Sequence, residues 1–83
     1  MSKVNKKHTE ALVITMEECG ELTQACSKII RNGSHQDRLD AMIEEAGDVL
    51  CMLKVLKSCG LFKWKDIKKR AKFKRKKFRY LEK

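Results

Sequence analysis

Proline is absent from the 83 residues and glycine occurs only four times. With so few helix breakers, and with Ala, Leu, Met, Glu and Lys frequent, frequent turns are excluded and helix nearly throughout is expected. Aromatic residues are also scarce, one Trp, one Tyr and three Phe. A domain of this length hides only about 60% of its unfolded surface, so its core needs completion by another subunit. The longest strongly apolar run, residues 49–53, falls far short of the roughly 20 residues a membrane span requires. Cys19, Cys26, Cys51 and Cys59 include no C-x-x-C pair, and no apolar leader opens the sequence. That argues against zinc and redox motifs, and leaves reduced thiols acting as small core residues in a cytoplasmic protein. No glycine-rich phosphate loop is present. His8 and His35 stand near helix starts as surface residues, and neither forms the Glu-x-x-His pattern of di-iron bundles.

Acidic residues are missing from one part of the chain. Residues 61–83 carry twelve Lys or Arg against two Asp or Glu, whereas residues 1–60 carry eight against nine. The net charge of +9 therefore belongs to the C-terminal third. Such a block is either a solvated helix face or a surface for an anion: nucleic acid, phosphate, or an acidic part of the same protein.

Periodicity and punctuation place three helices. Over residues 8–31, Leu12, Met16, Cys19, Leu22, Cys26, Ile29 and Ile30 recur at spacings of three and four. Asn32 and Gly33 close this helix, with Gly33 suited to a left-handed end, and Ser34 with Asp37 resembles a capping box for the next. So short a link makes antiparallel neighbours the default. Over residues 35–58 the inward stripe is Leu39, Met42, Ile43, Ala46, Val49, Leu50, Leu53 and Leu56. The half after Asp48 is apolar around most of its circumference, as expected of a helix covered on all sides. The third helix, residues 62–81, sets Trp64, Ile67, Ala71, Phe78 and Leu81 on one face. Phe73 and Tyr80 lie opposite, placed to pack on a neighbouring subunit or stack on a base. Residues 1–7 are polar and expected to fray.

The strongest pattern is a repeat. Met-Glu-Glu-Cys-Gly-Glu-Leu at residues 16–22 returns as Ile-Glu-Glu-Ala-Gly-Asp-Val at 43–49. Carboxylates three apart on a helix meet on one side, so Glu18 pairs with Glu21 and Glu45 with Asp48. At about 100° per residue, both pairs flank their apolar stripes at the same angles. Antiparallel packing then brings four acids to one side of the crossing, where they repel unless a hard divalent cation sits among them. Glu17 and Glu44 lie further from the seam and suit a supporting or base role.

These residues resemble the MazG-like all-α nucleoside triphosphate pyrophosphohydrolases. The resemblance rests on E-E-x-x-E at Glu17, Glu18 and Glu21, and on E-x-x-D at Glu45 and Asp48. It covers roughly residues 11–56. It implies hydrolysis of a nucleoside triphosphate to the monophosphate and pyrophosphate. Mg²⁺, with Mn²⁺ as a possible substitute, would be held by Glu18, Glu21, Glu45 and Asp48, and Glu17 would orient or deprotonate the attacking water. Phosphate oxygens need cationic donors, for which Lys28 and Arg31 follow on the first helix and Lys54 on the second.

The expected protein is one all-α domain over residues 1–83. It comprises an antiparallel helix hairpin and a basic C-terminal helix, completed to a bundle as a homodimer or homotetramer. Its favoured activity is the pyrophosphohydrolase one, with the basic segment 63–79 serving the nucleotide site. The alternative is a small basic helical protein that binds nucleic acid, its acids purely structural.

Overall fold

The computed structural model describes residues 4–83. The elements are α1 (Lys6–Asn32), α2 (Gln36–Ser58), α3 (Trp64–Lys77) and a short 3-10 turn (Arg79–Glu82), with no strand among the described residues. The Asn5 side chain accepts a hydrogen bond from His8 N–H at 2.8 Å, the N-cap arrangement that starts a helix. Lys6 and Lys7 are thereby helical rather than frayed. The rest of the segment expected to fray includes residues 1–3, which lie outside the described residues.

The link between α1 and α2 is short, as expected, but is built differently. Gly33 has φ 94° and ψ 166°, a combination essentially restricted to glycine and distinct from the left-handed helical one. The capping box expected from Ser34 and Asp37 does not start α2, because the N-cap falls on His35, whose side chain makes no capping bond. Arg38 does the joining instead. Its guanidinium donates to the carbonyl oxygens of Asn32 and Gly33, so the first turn of α2 satisfies acceptors left open at the end of α1. At the far end of α2, Gly60 N–H donates to Lys57 O at 2.9 Å and Leu61 N–H to Leu56 O at 3.2 Å. With Gly60 at φ 79°, this is the double closure of a Schellman motif. α3 stops at Lys77, earlier than its periodicity indicates, and the chain tightens into the 3-10 turn.

α1 and α2 pack against each other along their lengths, and α3 packs along neither. Ala25 and Lys28 lie beside Arg38 and Ala41, and Glu18 beside Asp48 and Met52, so the two helices run in opposite directions. Covered positions on α1 include His8, Ala11, Thr15, Glu18, Leu22, Ala25 and Ile29; on α2 and its C-cap they include Arg38, Met42, Glu45, Val49, Met52, Leu56 and Cys59. Each set alternates three and four, the pattern of helices that meet at a shallow angle.

On α2 the stripe read in the sequence is largely the covered one, with Leu39, Met42, Val49, Leu53 and Leu56 at least half-buried. On α1 only Leu22 and Ile29 of that stripe are covered, and the seam is rotated toward Ala11, Thr15, Glu18 and Ala25. Met16 (72% accessible), Ile30 (85%), Ile43 and Leu50 are exposed. Cys19, Cys26 and Cys51 are exposed free thiols rather than core residues, and Cys59 is half-buried. His8, expected at the surface, is half-buried in the seam. Small Ala11, Thr15 and Ala25 on the contact side of α1 let the backbones approach, with Leu22, Ile29 and Leu56 filling in around them, while Leu12, Met16, Ile30, Ile43 and Leu50 remain uncovered.

Ala11, Ala25 and Leu56 are the only buried apolar residues among those described, and none of them is completely sealed from solvent. The chain exposes 7199 Å², against roughly 5,100 Å² for a compact monomer of its mass. Its radius of gyration is 15.3 Å, where a compact chain of this length has about 12 Å. No described helix is long and apolar enough to cross a membrane.

Candidate metal centre

The seam places acids where packing would otherwise place hydrophobes. Glu18 occupies the middle of the covered side of α1, Glu45 the corresponding position on α2, and Asp48 stands one turn further along α2. One carboxylate oxygen from each of these three residues lies within 4.8 Å of the other two. Three hard oxygen donors converging from two rigid helices suit a cation such as Mg²⁺, Mn²⁺ or Ca²⁺. The electrostatics agree with that donor set. Burial at the seam, then the charge of Asp48, then that of Glu21, a hydrogen bond to Asp48 and the charge of Glu17 raise the Glu18 carboxyl above its ordinary 4.5. Burial, then the charges of Asp48, Glu21, Glu18 and Glu44 raise Glu45 likewise. Like charges held together in partial burial favour whatever neutralises them, a proton or a cation.

Of the four acids singled out in the sequence, three therefore meet. Glu21 is exposed and falls outside the cluster, yet it is near enough for its charge to act on both Glu18 and Glu45. Glu17 and Glu44 are exposed beside it. The cationic candidates do not gather at one point. Lys54 lies six residues past Asp48, about 9 Å along α2, whereas Lys28 and Arg31 lie about 15 and 20 Å along α1 from Glu18, toward the turn. Lys28 lines a cleft with Ala25, Asp37 and Arg38, and the Arg31 Nε donates to Ser27 O at 3.4 Å. Lys54 borders an open apolar groove on α2 with Gly47, Leu50, Cys51 and Val55. No motif in the sequence marks the individual groove residues as a site; the signal for them is the apolar circumference of α2 after Asp48.

Fold and site together define an all-α protein whose paired helices carry a carboxylate cluster suited to a hard divalent cation. More particularly, the chain belongs to the MazG nucleotide pyrophosphohydrolase domain family, whose model matches residues 6–77. That match takes in both acidic motifs and all of α3. No curated protein and no solved structure matches the chain.

Proposed function

We propose that this protein hydrolyses a nucleoside triphosphate to the monophosphate and pyrophosphate, with Mg²⁺, or Mn²⁺ in its place, held by Glu18, Glu45 and Asp48 and assisted by Glu21. The carrying observation is the convergence of three carboxylate oxygens within 4.8 Å on a helix pair of the MazG family. A cation there supplies charge neutralisation and Lewis acidity at the phosphate chain. The protein's own groups do the rest. Glu17, exposed one residue before Glu18, accepts the proton of the attacking water. Lys54 on one side of the cluster and Lys28 on the other offset phosphate charge, with Arg31 furthest along. Glu18 and Glu45, held in the seam, would fix the place of the cation and through it that of the phosphates.

The same proposal includes a homo-oligomer, dimer or tetramer. Roughly 2,000 Å² more surface is exposed than a compact monomer shows, and part of it is the apolar face of Met16, Ile30, Ile43 and Leu50. Gly20 and Gly47 support it independently. A mid-helix glycine costs about 1 kcal/mol relative to alanine, yet a Cβ at either position would meet nothing within 4 Å in this chain. A second backbone approaching there would account for both.

A panel of nucleotides incubated with Mg²⁺ and assayed for monophosphate and pyrophosphate tests the activity. Turnover of at least one triphosphate, abolished by excess EDTA, is expected. Undiminished turnover in EDTA, or release of orthophosphate in place of pyrophosphate, would overturn the reading.

A further inference from the structure

We propose that α3 and the turn after it form a binding arm for single-stranded nucleic acid, a role separate from the hydrolytic site. Residues 61–83 carry twelve basic and two acidic side chains. The only ion pair among the described residues is Arg75 to Glu82 at 2.8 Å. The positive charge is thus left almost wholly unneutralised within the chain. Nor is it covered: every residue from Lys68 to Lys83 is exposed, and α3 packs along neither hairpin helix. Only its base is anchored, where Phe62 stacks near Trp64 at 6.2 Å and Trp64 and Ile67 are half-buried.

Three anionic partners fit a basic helix, and the arrangement selects among them. A second copy's hairpin gathers its acids at the cluster that the proposed cation neutralises, and residues 1–60 as a whole carry only one more acid than base against an excess of ten bases (twelve less two) in residues 61–83. A membrane surface calls for a broad apolar face beneath the basic one. Here the outer half of α3 and the turn after it offer only Ala71, Phe78 and Leu81 on that side, and Phe78 has the Lys74 and Lys77 ammonium groups 6.0 and 5.6 Å from its ring centre. A nucleic acid supplies one phosphate per nucleotide to a helix that is basic around most of its circumference.

The aromatics favour the single-stranded form. Phe73 and Tyr80 are 62% and 66% accessible, and the Arg70 guanidinium lies 4.9 Å from the Phe73 ring centre. Aromatic rings interleaved with cations are the platform on which unpaired bases stack, and a duplex gives them nothing to stack on.

The test is fluorescence anisotropy of the full-length protein with labelled single-stranded DNA and RNA of about 20 nucleotides, a duplex of equal length, and phosphatidylserine vesicles. All measurements are made in EDTA, so that hydrolysis plays no part. Binding of at least one single strand at physiological salt, tighter than to duplex or vesicles, is expected. DNA against RNA then identifies the natural strand. Replacing Lys74, Arg75, Lys76 and Lys77 by Gln, a residue that keeps helix propensity, should weaken binding at least about tenfold and flatten the log-log salt dependence by about 0.7 for each phosphate no longer neutralised. Phe73→Ala and Tyr80→Ala should each weaken it about tenfold with the salt slope unchanged. Equal or tighter binding to duplex or vesicles, no binding at physiological salt, or full affinity in the four-Gln variant would overturn the proposal.

Discussion

The hairpin and the C-terminal arm are opposites built from the same secondary structure. α1 and α2 make a seam from small residues, apolar side chains such as Leu22 and Leu56, and three acids, and leave further large apolar side chains on an open face. α3 has scarcely any apolar face in its outer half and is basic almost all round. Helix formation is thus no guide to what a segment does in this protein. The hairpin's helices depend on contacts, within the chain and proposed between copies. The arm's helix rests on local propensity and on interactions such as Arg75 with Glu82, and its charges remain available to a ligand.

The largest effect that sharpens this contrast is chemical. Glu18→Gln or Asp48→Asn should lower triphosphate turnover by more than about a hundredfold, the scale of losing several kcal/mol of charge stabilisation. The same variants should melt no lower than the parent in EDTA, because they remove repulsion. A melting temperature that falls along with activity would mean the acids are structural. Next comes assembly. Leu50→Asp puts a charge on the open face of α2, and should convert a sedimenting oligomer to monomer and abolish the rise of melting temperature with concentration. A parent protein that sediments as a compact monomer at micromolar concentration would break the comparison outright.

The pH response separates the halves further. Glu18 and Glu45 have folded-state pKa values raised above 4.5, so between that value and the raised ones the folded chain binds more protons than the unfolded chain. Their contribution to stability is therefore fully present below 4.5 and is lost as pH rises through the folded values. Melting in EDTA should show this decline, and Mg²⁺ should suppress it; a decline of equal size in Glu18→Gln would place its origin elsewhere. Smaller still, Gly47→Ala should favour the isolated helix by about 1 kcal/mol while weakening self-association, read by melting and sedimentation together. Glu82→Gln, which removes the exposed pair with Arg75, should change stability by no more than about 0.5 kcal/mol.

Much of this plan is legible in the sequence. The absence of proline, the Asn32-Gly33 and Cys59-Gly60 stops and the charge division give three helices with nearly correct limits. The repeated acidic motif gives the cluster. What the sequence conceals is which stripe of α1 faces α2. Residues 12, 16, 19, 22, 26, 29 and 30 and residues 11, 15, 18, 22, 25 and 29 share one periodicity and two members, Leu22 and Ile29, and hydropathy chooses the first because Met16 and Ile30 are more apolar than Ala11 and Glu18. The second wins inside the chain, since small residues permit close approach. The Ser34 cap fails for a related reason. Gly33, with its ψ near extended, redirects the backbone so that the cap falls on His35, and Arg38, which no local capping rule marks, closes the turn.

That turn also sets the order of events when the chain folds. Only residues 33–35 separate α1 from α2, so closing the hairpin costs little loop entropy, and its nucleation near the Arg38 contacts is local. Meeting a second copy, as the proposed assembly requires, is bimolecular: at about 1 μM and about 10⁶ M⁻¹s⁻¹ it would take on the order of a second. Refolding from denaturant should accordingly show an early helical phase indifferent to concentration, followed by a later one that quickens as protein is added.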